Sequence, residues 1–265
     1  MKDHTAGRLK TRLDAVLWYL RRPKYYGNLV FRVKGRLLRA IGLRKDSRQD
    51  ATAWCASRSI DTSVAIAKIT GHSQEADVRS LFPDDFAEAE RRAAACPVKM
   101  GGAADLNLIF WLCEHAGAAR VVETGVAYGW SSLAALLSLT RRSGTRLLST
   151  DMPYPGRNND AFVGCVVPDR LRGMWNILRH ADRDALPAAI AELGAIDVCH
   201  YDSDKSYDGR MWAYALLWNA LRPGGILISD DIGDNVAFRD FAGRVSVDPV
   251  IIGFHNKFSG VLVKP

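Results

Sequence analysis

From Asp105 to the end of the chain, short apolar runs alternate with stretches of helical periodicity. Buried strands are predicted over residues 121–122, 146–148, 175–178, 196–201 and 225–228. Helices are predicted between them, over residues 131–140, 184–193 and 207–221. Because a helix is the usual crossover between parallel strands, the alternation predicts an α/β fold with a Rossmann-like, doubly wound sheet and helices on both faces. Apolar runs at 249–252 and 260–263 flank a turn and predict a closing antiparallel hairpin at the C-terminus.

The positive charge of the chain lies almost entirely at its N-terminal end. The formal net charge is +7, but residues 1–50 contain 14 Lys and Arg against 4 Asp, a net of +10. The remaining residues carry 22 basic and 25 acidic side chains, a net of −3. Proteins that clamp a phosphate backbone spread cations over the folded face that binds it, so no nucleic-acid partner is expected.

The basic N-terminal end, here termed the arm, is predicted to form two amphipathic helices. Its apolar residues recur at helical spacing in two groups: Leu9, Leu13, Val16, Leu17 and Leu20, then Val30, Val33, Leu37, Leu38 and Ile41. The favoured interpretation is that these stripes pack on the folded body or on a second subunit; the alternative is peripheral contact of residues 1–45 with an anionic membrane. Residues 43–60 are polar and predict a linker. The arm and linker therefore span residues 1–60, a helical extension of the domain at 61–265.

Cysteine usage and hydropathy predict a reduced, cytoplasmic protein. The five cysteines include no C-x-x-C pair, which favours free thiols. The apolar run at 15–20 is too short for an export signal or a membrane-spanning helix. We therefore expect neither export nor a transmembrane segment, and any membrane association only through the arm.

The first motif follows the strand predicted at 121–122 and reads E-T-G-V-A-Y-G over residues 123–129. Ligands of open α/β sheets bind beyond the carboxyl ends of the strands, and a glycine turn lets a ligand approach the backbone. Ser131 or Ser132 then opens a helix, whose N-terminal amides favour an anion such as a carboxylate. The spacing G-x-x-x-G matches neither the dinucleotide fingerprint nor the phosphate-binding loop. A plain strand-to-helix turn is the alternative.

Two acidic residues mark the ends of the next two predicted strands. Asp151 ends the second strand, 28 positions after Glu123, where a carboxylate can accept hydrogen bonds from a ribose diol. Asp182 follows the third strand, where it can bind the exocyclic amine of an adenine. A helix N-cap is the equally weighted alternative for Asp182.

Three carboxylates are expected to meet at the ends of the fourth and fifth strands. Asp202 follows one strand directly, and Asp230 and Asp231 follow the other. So much negative charge is unfavourable without a cation, and an all-oxygen set suits Mg²⁺, Mn²⁺ or Ca²⁺. Solvated loop carboxylates are the alternative.

The joint order of these motifs carries a resemblance to a known family. E-T-G-V-A-Y-G, then T-D, then D-S-D-K-S-Y, then L-R-P-G-G-I-L-I-S-D-D resembles the class I S-adenosylmethionine-dependent methyltransferases. Within them the chain is similar to cation-dependent O-methyltransferases of the catechol and caffeoyl-coenzyme A type, and to bacterial relatives that act on sugars and natural products. The resemblance covers roughly residues 98–265.

The resemblance implies a cofactor site and a catalytic site. The S-adenosylmethionine residues would be Glu123, Gly125, Tyr128, Gly129, Ser132, Asp151, Asp182 and Asp202. The ligands of Mg²⁺ would be Asp202, Asp230 and Asp231, although the catechol type has Asn where Asp231 stands. The catalytic residues would be Asp202 and Lys205, with Lys205 as the base.

The predicted function is that of an O-methyltransferase, assisted by a divalent metal, with a hydroxylated small molecule, sugar or glycan as acceptor. The alternatives are a metal-independent methyltransferase with a His200 or Lys205 base, and a non-catalytic cofactor-binding scaffold held by the arm. Lys205 has its own alternative as a salt-bridge partner of Asp204 or Asp208. The acceptor loop would be residues 152–167, which contain Tyr154, Arg157, Asn158 and Asn159. A homo-oligomer is expected.

Overall fold

The computed structural model describes residues 14–40, 47–155 and 159–265, and these build an eight-stranded sheet with helices around it. The strands are β1 (Ser59–Ile60), β2 (Arg120–Thr124), β3 (Arg146–Thr150), β4 (Trp175–Leu178), β5 (Ile196–Tyr201), β6 (Leu221–Ser229), β7 (Val250–Phe254) and β8 (Lys257–Val263). Their spatial order is β1-β7-β8-β6-β5-β2-β3-β4.

Most neighbouring strands in this sheet are parallel. The pairs β2/β3, β2/β5, β3/β4, β5/β6 and β1/β7 are parallel, whereas β8 runs antiparallel to both β6 and β7. The turn of the β7–β8 hairpin is formed by His255 and Asn256, both with positive φ, which suits a tight hairpin turn. The predicted Rossmann-like sheet with its closing hairpin is confirmed.

Helices cover both faces of the sheet. They are α1 (described over residues 14–20), α2 (Tyr26–Ala40), α3 (Arg48–Ala56), α4 (Thr62–Thr70), α5 (Val78–Leu81), α6 (Pro83–Ala95), α7 (Leu106–His115), α8 (Trp130–Leu139), α9 (Asp182–Leu193), α10 (Tyr207–Ala220) and α11 (Ala237–Val245). Leu112 and Leu136 of α7 and α8 pack with Val121 of β2 on one face. Because side chains alternate along a strand, the neighbouring Val122 packs with Leu217 of α10 on the other.

The linker prediction is wrong for residues 48–56 and 59–60. Residues 48–56 form α3, whose Ala51 and Cys55 lie one helical turn apart and are buried. The Thr52 hydroxyl donates to the Gly233 carbonyl at 3.2 Å. Residues 59–60 form β1, which pairs with Ile251 and Ile252 of β7. A short helix can pack on the body through two small buried residues. Such a helix in an otherwise polar segment is difficult to predict from the sequence.

The arm is held to the body by an aromatic cluster. Trp18, Tyr19 and Tyr25 are buried together and pack against Leu29 and Met152. The hydroxyl of Tyr25 donates to the Arg179 carbonyl at 2.9 Å. These contacts place the arm beside the loops that follow β3 and β4.

The interpretation that the apolar stripes pack on the body is wrong for most of their described members. Val16, Leu17, Leu20, Val30, Val33 and Leu37 all have exposed side chains. Leu9, Leu13 and Ile41 lie outside the described residues. The arm therefore docks through its aromatic residues, while its aliphatic stripe faces away from the body.

Two sequence expectations concern thiols and membrane spans. All five cysteines are free thiols. No helix in the described part of the chain is both long enough and apolar enough to cross a bilayer.

Asp197 of β5 forms hydrogen bonds with the chain at the beginnings of β2 and β6. One of its carboxylate oxygens accepts from the backbone amides of Ala119 and Arg120, both at 2.8 Å, and the other accepts from Arg222 Nε at 2.6 Å. Burial alone would raise the pKa of Asp197, but Arg222 and the two amides hold it below its usual value. The charged carboxylate therefore stabilises the junction of β2, β5 and β6.

Replacing this carboxylate is expected to destabilise the fold in a pH-dependent way. Asp197→Asn should lower the free energy of unfolding by about 2 kcal/mol at neutral pH, because charge-assisted hydrogen bonds are weakened. Because the pKa of Asp197 is lower in the folded than in the unfolded state, its carboxylate stabilises the fold at pH values above the unfolded pKa of about 4. This stabilisation is lost as the pH falls through the folded-state pKa. Urea unfolding at several pH values measures this. The exposed Asp248→Asn is the control, and a loss independent of pH would contradict the account.

Candidate active site

The glycine loop after β2 is packed directly against the end of β5. Gly125 has φ +80°, and a Cβ added there would lie 2.4 Å from the Asp202 carbonyl oxygen. Gly129 has φ +93° and precedes α8; its added Cβ would lie 3.0 Å from Gly164 Cα. Glycine alone meets both the left-handed conformation and the close approach at Gly125. The glycine turn predicted as a cofactor loop is thus fixed on β5.

Asp151 at the end of β3 holds this loop in place. Its Oδ2 accepts from the backbone amides of Val126 at 2.8 Å and Ala127 at 3.1 Å. Its Oδ1 forms an ion pair with Arg179, which also binds Asp160 at 2.6 Å. Asp151, the residue predicted to bind the ribose, therefore lies beside the loop, and protein groups bind both of its carboxylate oxygens.

Glu123 and Ser132 lie beneath the loop, where they bind each other. Glu123 is buried and accepts from the hydroxyls of Ser132 at 2.5 Å and Ser149 at 2.7 Å. Its Oε1 is 3.8 Å from Nδ1 of the buried His200. Burial alone would raise the pKa of Glu123, but His200, Ser131 and Ser132 lower it. Both predicted cofactor residues support the loop from inside the fold.

His200 shares this interior and does not face solvent. Burial alone would lower its pKa, but the nearby carboxylates of Glu123, Asp230 and Asp202 raise it. A side chain that is 3% exposed on β5 fits a structural role in the core. The alternative of a His200 base has no support from this position.

Asp182 lies at the first turn of α9, but it is not the N-cap. That position belongs to Ala181, and no side chain caps the helix. The Asp182 carboxylate instead accepts from the Ser203 hydroxyl at 2.5 Å and the Thr150 hydroxyl at 3.4 Å. Burial raises the pKa of Asp182 to about 6. The predicted adenine-binding carboxylate is half-buried at the carboxyl ends of β3 and β5.

A lysine lies between two of the three predicted metal ligands. Lys205 Nζ forms ion pairs with Asp202 Oδ1 and with Asp231 Oδ2, the latter at 2.9 Å. Lys257 Nζ lies 3.3 Å from the other oxygen of Asp231. Burial alone would lower the pKa of Lys205, but the two carboxylates raise it. Lys205 is therefore an ammonium at neutral pH, bound to Asp202 and Asp231; it pairs with these residues instead of Asp204 or Asp208.

Asp230 and Asp231 are positioned by a buried arginine on α10. Arg210 is completely buried, and its Nη2 donates to the carbonyl oxygens of Asp230 at 3.2 Å and Asp231 at 2.9 Å. The Asp230 carboxylate accepts from the Ser259 hydroxyl of β8. Asp231 itself has φ +51°, a strained value for a residue with a side chain. The Arg210 guanidinium therefore fixes the backbone of this turn at the end of β6.

The predicted metal site does not fit the observed arrangement. The donor set is all oxygen, as Mg²⁺ requires. However, an ammonium binds two of its three carboxylates, and the third is bound by Ser259. Across residues 14–40, 47–155 and 159–265, no group of three or more His, Cys, Asp or Glu side chains is arranged to hold a metal ion.

The predicted acceptor loop and Tyr128 border the site. The Tyr128 hydroxyl donates to the Val98 carbonyl at 3.1 Å and accepts from the Met100 amide at 3.3 Å, so it joins the glycine loop to residues 98–100. In the acceptor loop Tyr154 is exposed and Asn159 is buried. Arg157 and Asn158 lie outside the described residues.

A cavity of about 380 Å³ lies between the arm and the body. Its lining comes from both, namely Arg22, Lys24, Tyr25, Pro153, Asp160, Val163, Ile177 and Arg179. Pro153, Asp160 and Val163 belong to the predicted acceptor loop. None of the residues predicted to bind the cofactor or metal, or to act in catalysis, lines the cavity, but Arg179 connects it to Asp151.

Sequence reasoning missed Arg179, Arg210 and Lys257. Arg210 did leave a signal, since it occupies a buried helical position between Tyr207 and Tyr214, where a lone cation needs a partner. Arg179 follows β4 with no such pattern, and Lys257 was assigned to the hairpin turn alone.

Comparison with known families finds a match over the central part of the chain. Residues 122–232 match a family model described as a methyltransferase domain. This range runs from β2 to the turn after β6 and so includes the glycine loop and all three carboxylates. No curated protein matches the sequence.

Solved structures share the fold at low sequence identity. The cofactor-bound protein Rv0187 from MTB has a TM-score of 0.54 and 19% identity, over 70% of this chain and 93% of that one. A methyltransferase from Geobacter sulfurreducens has a TM-score of 0.52 and 18% identity, over 78% and 98%. An O-methyltransferase from Bacillus cereus in complex with SAH has a TM-score of 0.51 and 15% identity, over 79% and 100%. Residues 122–232 therefore match a methyltransferase domain, and the solved structures share the fold of the sheet around it.

Proposed function

We propose that the protein transfers a methyl group from S-adenosylmethionine to a hydroxyl oxygen of a small molecule or sugar. The observation that carries the proposal is the contact of the glycine loop with the main chain of Asp202, whose carboxylate is paired with Lys205. A cofactor loop and a carboxylate–ammonium pair therefore adjoin at the carboxyl ends of β2 and β5. The O-methyltransferase from Bacillus cereus, solved with SAH, has the same fold.

The residues around the loop fit S-adenosylmethionine. Gly125 and Gly129 let the loop pack closely against Asp202 and Gly164. Asp151 and Asp182 follow neighbouring strands, where ribose and adenine are bound in doubly wound folds. Glu123 and Ser132 would shape the loop from below. When bound, the cofactor supplies the electrophilic methyl group.

The chain's own contribution is to prepare the acceptor oxygen. During transfer the carbon–sulfur bond breaks, a carbon–oxygen bond forms, and the acceptor hydroxyl loses its proton. The Asp202 carboxylate would take that proton, and the Lys205 ammonium would stabilise the oxygen anion. This reverses the expected role of Lys205, because an ammonium whose pKa is raised cannot act as the base. Holding the acceptor oxygen about 3 Å from the methyl carbon would supply the rest of the rate enhancement.

A metal-assisted reaction is the alternative, in which Asp202 and Asp231 would hold a divalent cation in place of the Lys205 ammonium, and the cation would favour loss of the acceptor's proton. The position of Lys205 favours the metal-independent form. The acceptor itself is proposed on the polar character of residues 152–167, which suits hydroxylated molecules.

The cofactor site is tested by adding one methyl group to the loop. Gly125→Ala should weaken S-adenosylmethionine binding at least about tenfold, because its Cβ would collide with the Asp202 carbonyl oxygen. Gly144→Ala is the matched control: its φ is +68°, with nothing within 4 Å of an added Cβ. Isothermal titration of both variants and the wild type measures the difference.

Methyl transfer is tested with the same proteins. Wild type and Gly144→Ala should transfer a labelled methyl group to a hydroxyl in a panel of catechols and sugars, whereas Gly125→Ala should be slower by the same factor. Cofactor binding without transfer to any hydroxyl would favour a scaffold. Equal binding by Gly125→Ala and Gly144→Ala would contradict the proposed site.

The role of Lys205 is tested through metal binding. Lys205→Ala leaves the carboxylates of Asp202 and Asp231 without their shared cation, so Mg²⁺ should bind there and raise the melting temperature. Mg²⁺ should have no such effect on the wild type or on Lys68→Ala, which removes an exposed lysine on α4. An equal rise in the wild type, with methyl transfer abolished by EDTA, would establish the metal-assisted alternative.

A further inference from the structure

Helix α2 presents a continuous apolar stripe to solvent. Tyr26, Val30, Val33 and Leu37 are spaced by four, three and four residues, so they lie on one face, and each is between 41% and 66% exposed. The stripe is roughly 16 Å long, from the helical rise per residue. In α1, Val16, Leu17 and Leu20 are also exposed. Contiguous exposed apolar side chains of this kind mark an interaction surface.

The opposite side of α2 is already occupied by α1 and by the body. Asn28 accepts from the Tyr19 hydroxyl at 2.8 Å, and the Phe31 ring receives the guanidinium of Arg183 at 4.3 Å. These half-buried residues fix which way the helix faces. The stripe therefore stays exposed while the arm remains docked.

The charge around the stripe selects its partner. Residues 26–40 contain Arg32, Lys34, Arg36 and Arg39 and no acidic residue, and Arg32 and Lys34 have exposed side chains. A second copy of this chain would bring the same cations against the same face, and like charges repel. An anionic surface instead satisfies the apolar stripe and the cations together.

We propose that the arm binds the surface of an anionic lipid bilayer, with the α2 stripe among the acyl chains and Arg32 and Lys34 at the headgroups. The helix lies in the plane of the interface, and the body stays in water. The aromatic cluster of Trp18, Tyr19 and Tyr25 transmits this attachment to the domain.

Co-sedimentation of the full-length protein with lipid vesicles tests the proposal. The wild type should bind vesicles of phosphatidylcholine and phosphatidylglycerol at least about tenfold better than pure phosphatidylcholine, and added salt should weaken the binding. Val33→Glu with Leu37→Glu should reduce binding to the anionic vesicles at least about tenfold. Val64→Glu on α4 is the matched control, since Val64 is 51% exposed on a helix away from the arm. Arg32→Gln with Lys34→Gln should weaken binding and flatten its salt dependence.

Circular dichroism and S-adenosylmethionine binding of the variants establish that the domain remains folded. Equal sedimentation of the wild type and the Val33→Glu, Leu37→Glu variant would overturn the proposal. So would a change from dimer to monomer in that variant on size-exclusion chromatography with vesicle binding unaltered, because the stripe would then bind a second copy.

Discussion

The carboxyl ends of β2 and β5 approach so closely that only a glycine fits at position 125. The Asp202 amide donates to the Thr124 carbonyl at 2.9 Å, and the Asp202 carbonyl oxygen occupies the space of a Gly125 side chain. This contact sets the distance between the proposed cofactor loop and the proposed catalytic carboxylate. Asp151 fixes the far end of the same loop through two amide hydrogen bonds. The site is therefore held by main-chain contacts, which a change of side chain elsewhere alters little.

Electrostatics around this contact depend on cations from three different elements. Lys205 follows β5, Lys257 begins β8, and Arg210 lies inside α10. Together they offset the carboxylates of Asp202 and Asp231 and hold the turn at Asp230 and Asp231. Removing Lys205 leaves the Asp202 carboxylate without its ion-pair partner, which is unfavourable in a low-dielectric site. The proposed chemistry uses this balance, since the proton lost by the acceptor hydroxyl would neutralise Asp202 and leave the negative charge on the acceptor oxygen beside Lys205.

Local patterns predicted the sheet and the positions of the acidic residues. Buried strands such as β5 are short apolar runs, and Asp151, Asp202 and Asp230 follow strands directly, so their placement at one edge of the sheet depends only on strand boundaries. Partners were harder to predict, because they depend on contacts between distant segments. Arg179 meets Asp151 across 28 residues, and Thr52 meets Gly233 across 181. Ser132 was expected to face the cofactor, yet its hydroxyl is turned inward to Glu123.

The arm also shows what helical periodicity in the sequence does not predict. Its helical periodicity was visible in Val30, Val33 and Leu37, but the direction of that face was decided by Trp18, Tyr19 and Tyr25, which dock the arm through a different surface. An amphipathic pattern specifies a face; it does not specify what covers it. The solvent exposure of that face in the folded chain is the information that sequence periodicity could not contain.

A crystal structure of the protein with S-adenosylhomocysteine tests the central claim most directly. The account predicts the ligand over the loop of residues 125–129, with its ribose beside Asp151, its adenine near Asp182, and its sulfur facing the Asp202–Lys205 pair. Binding elsewhere on the chain, or a sulfur directed away from Asp202 and Lys205, would contradict it.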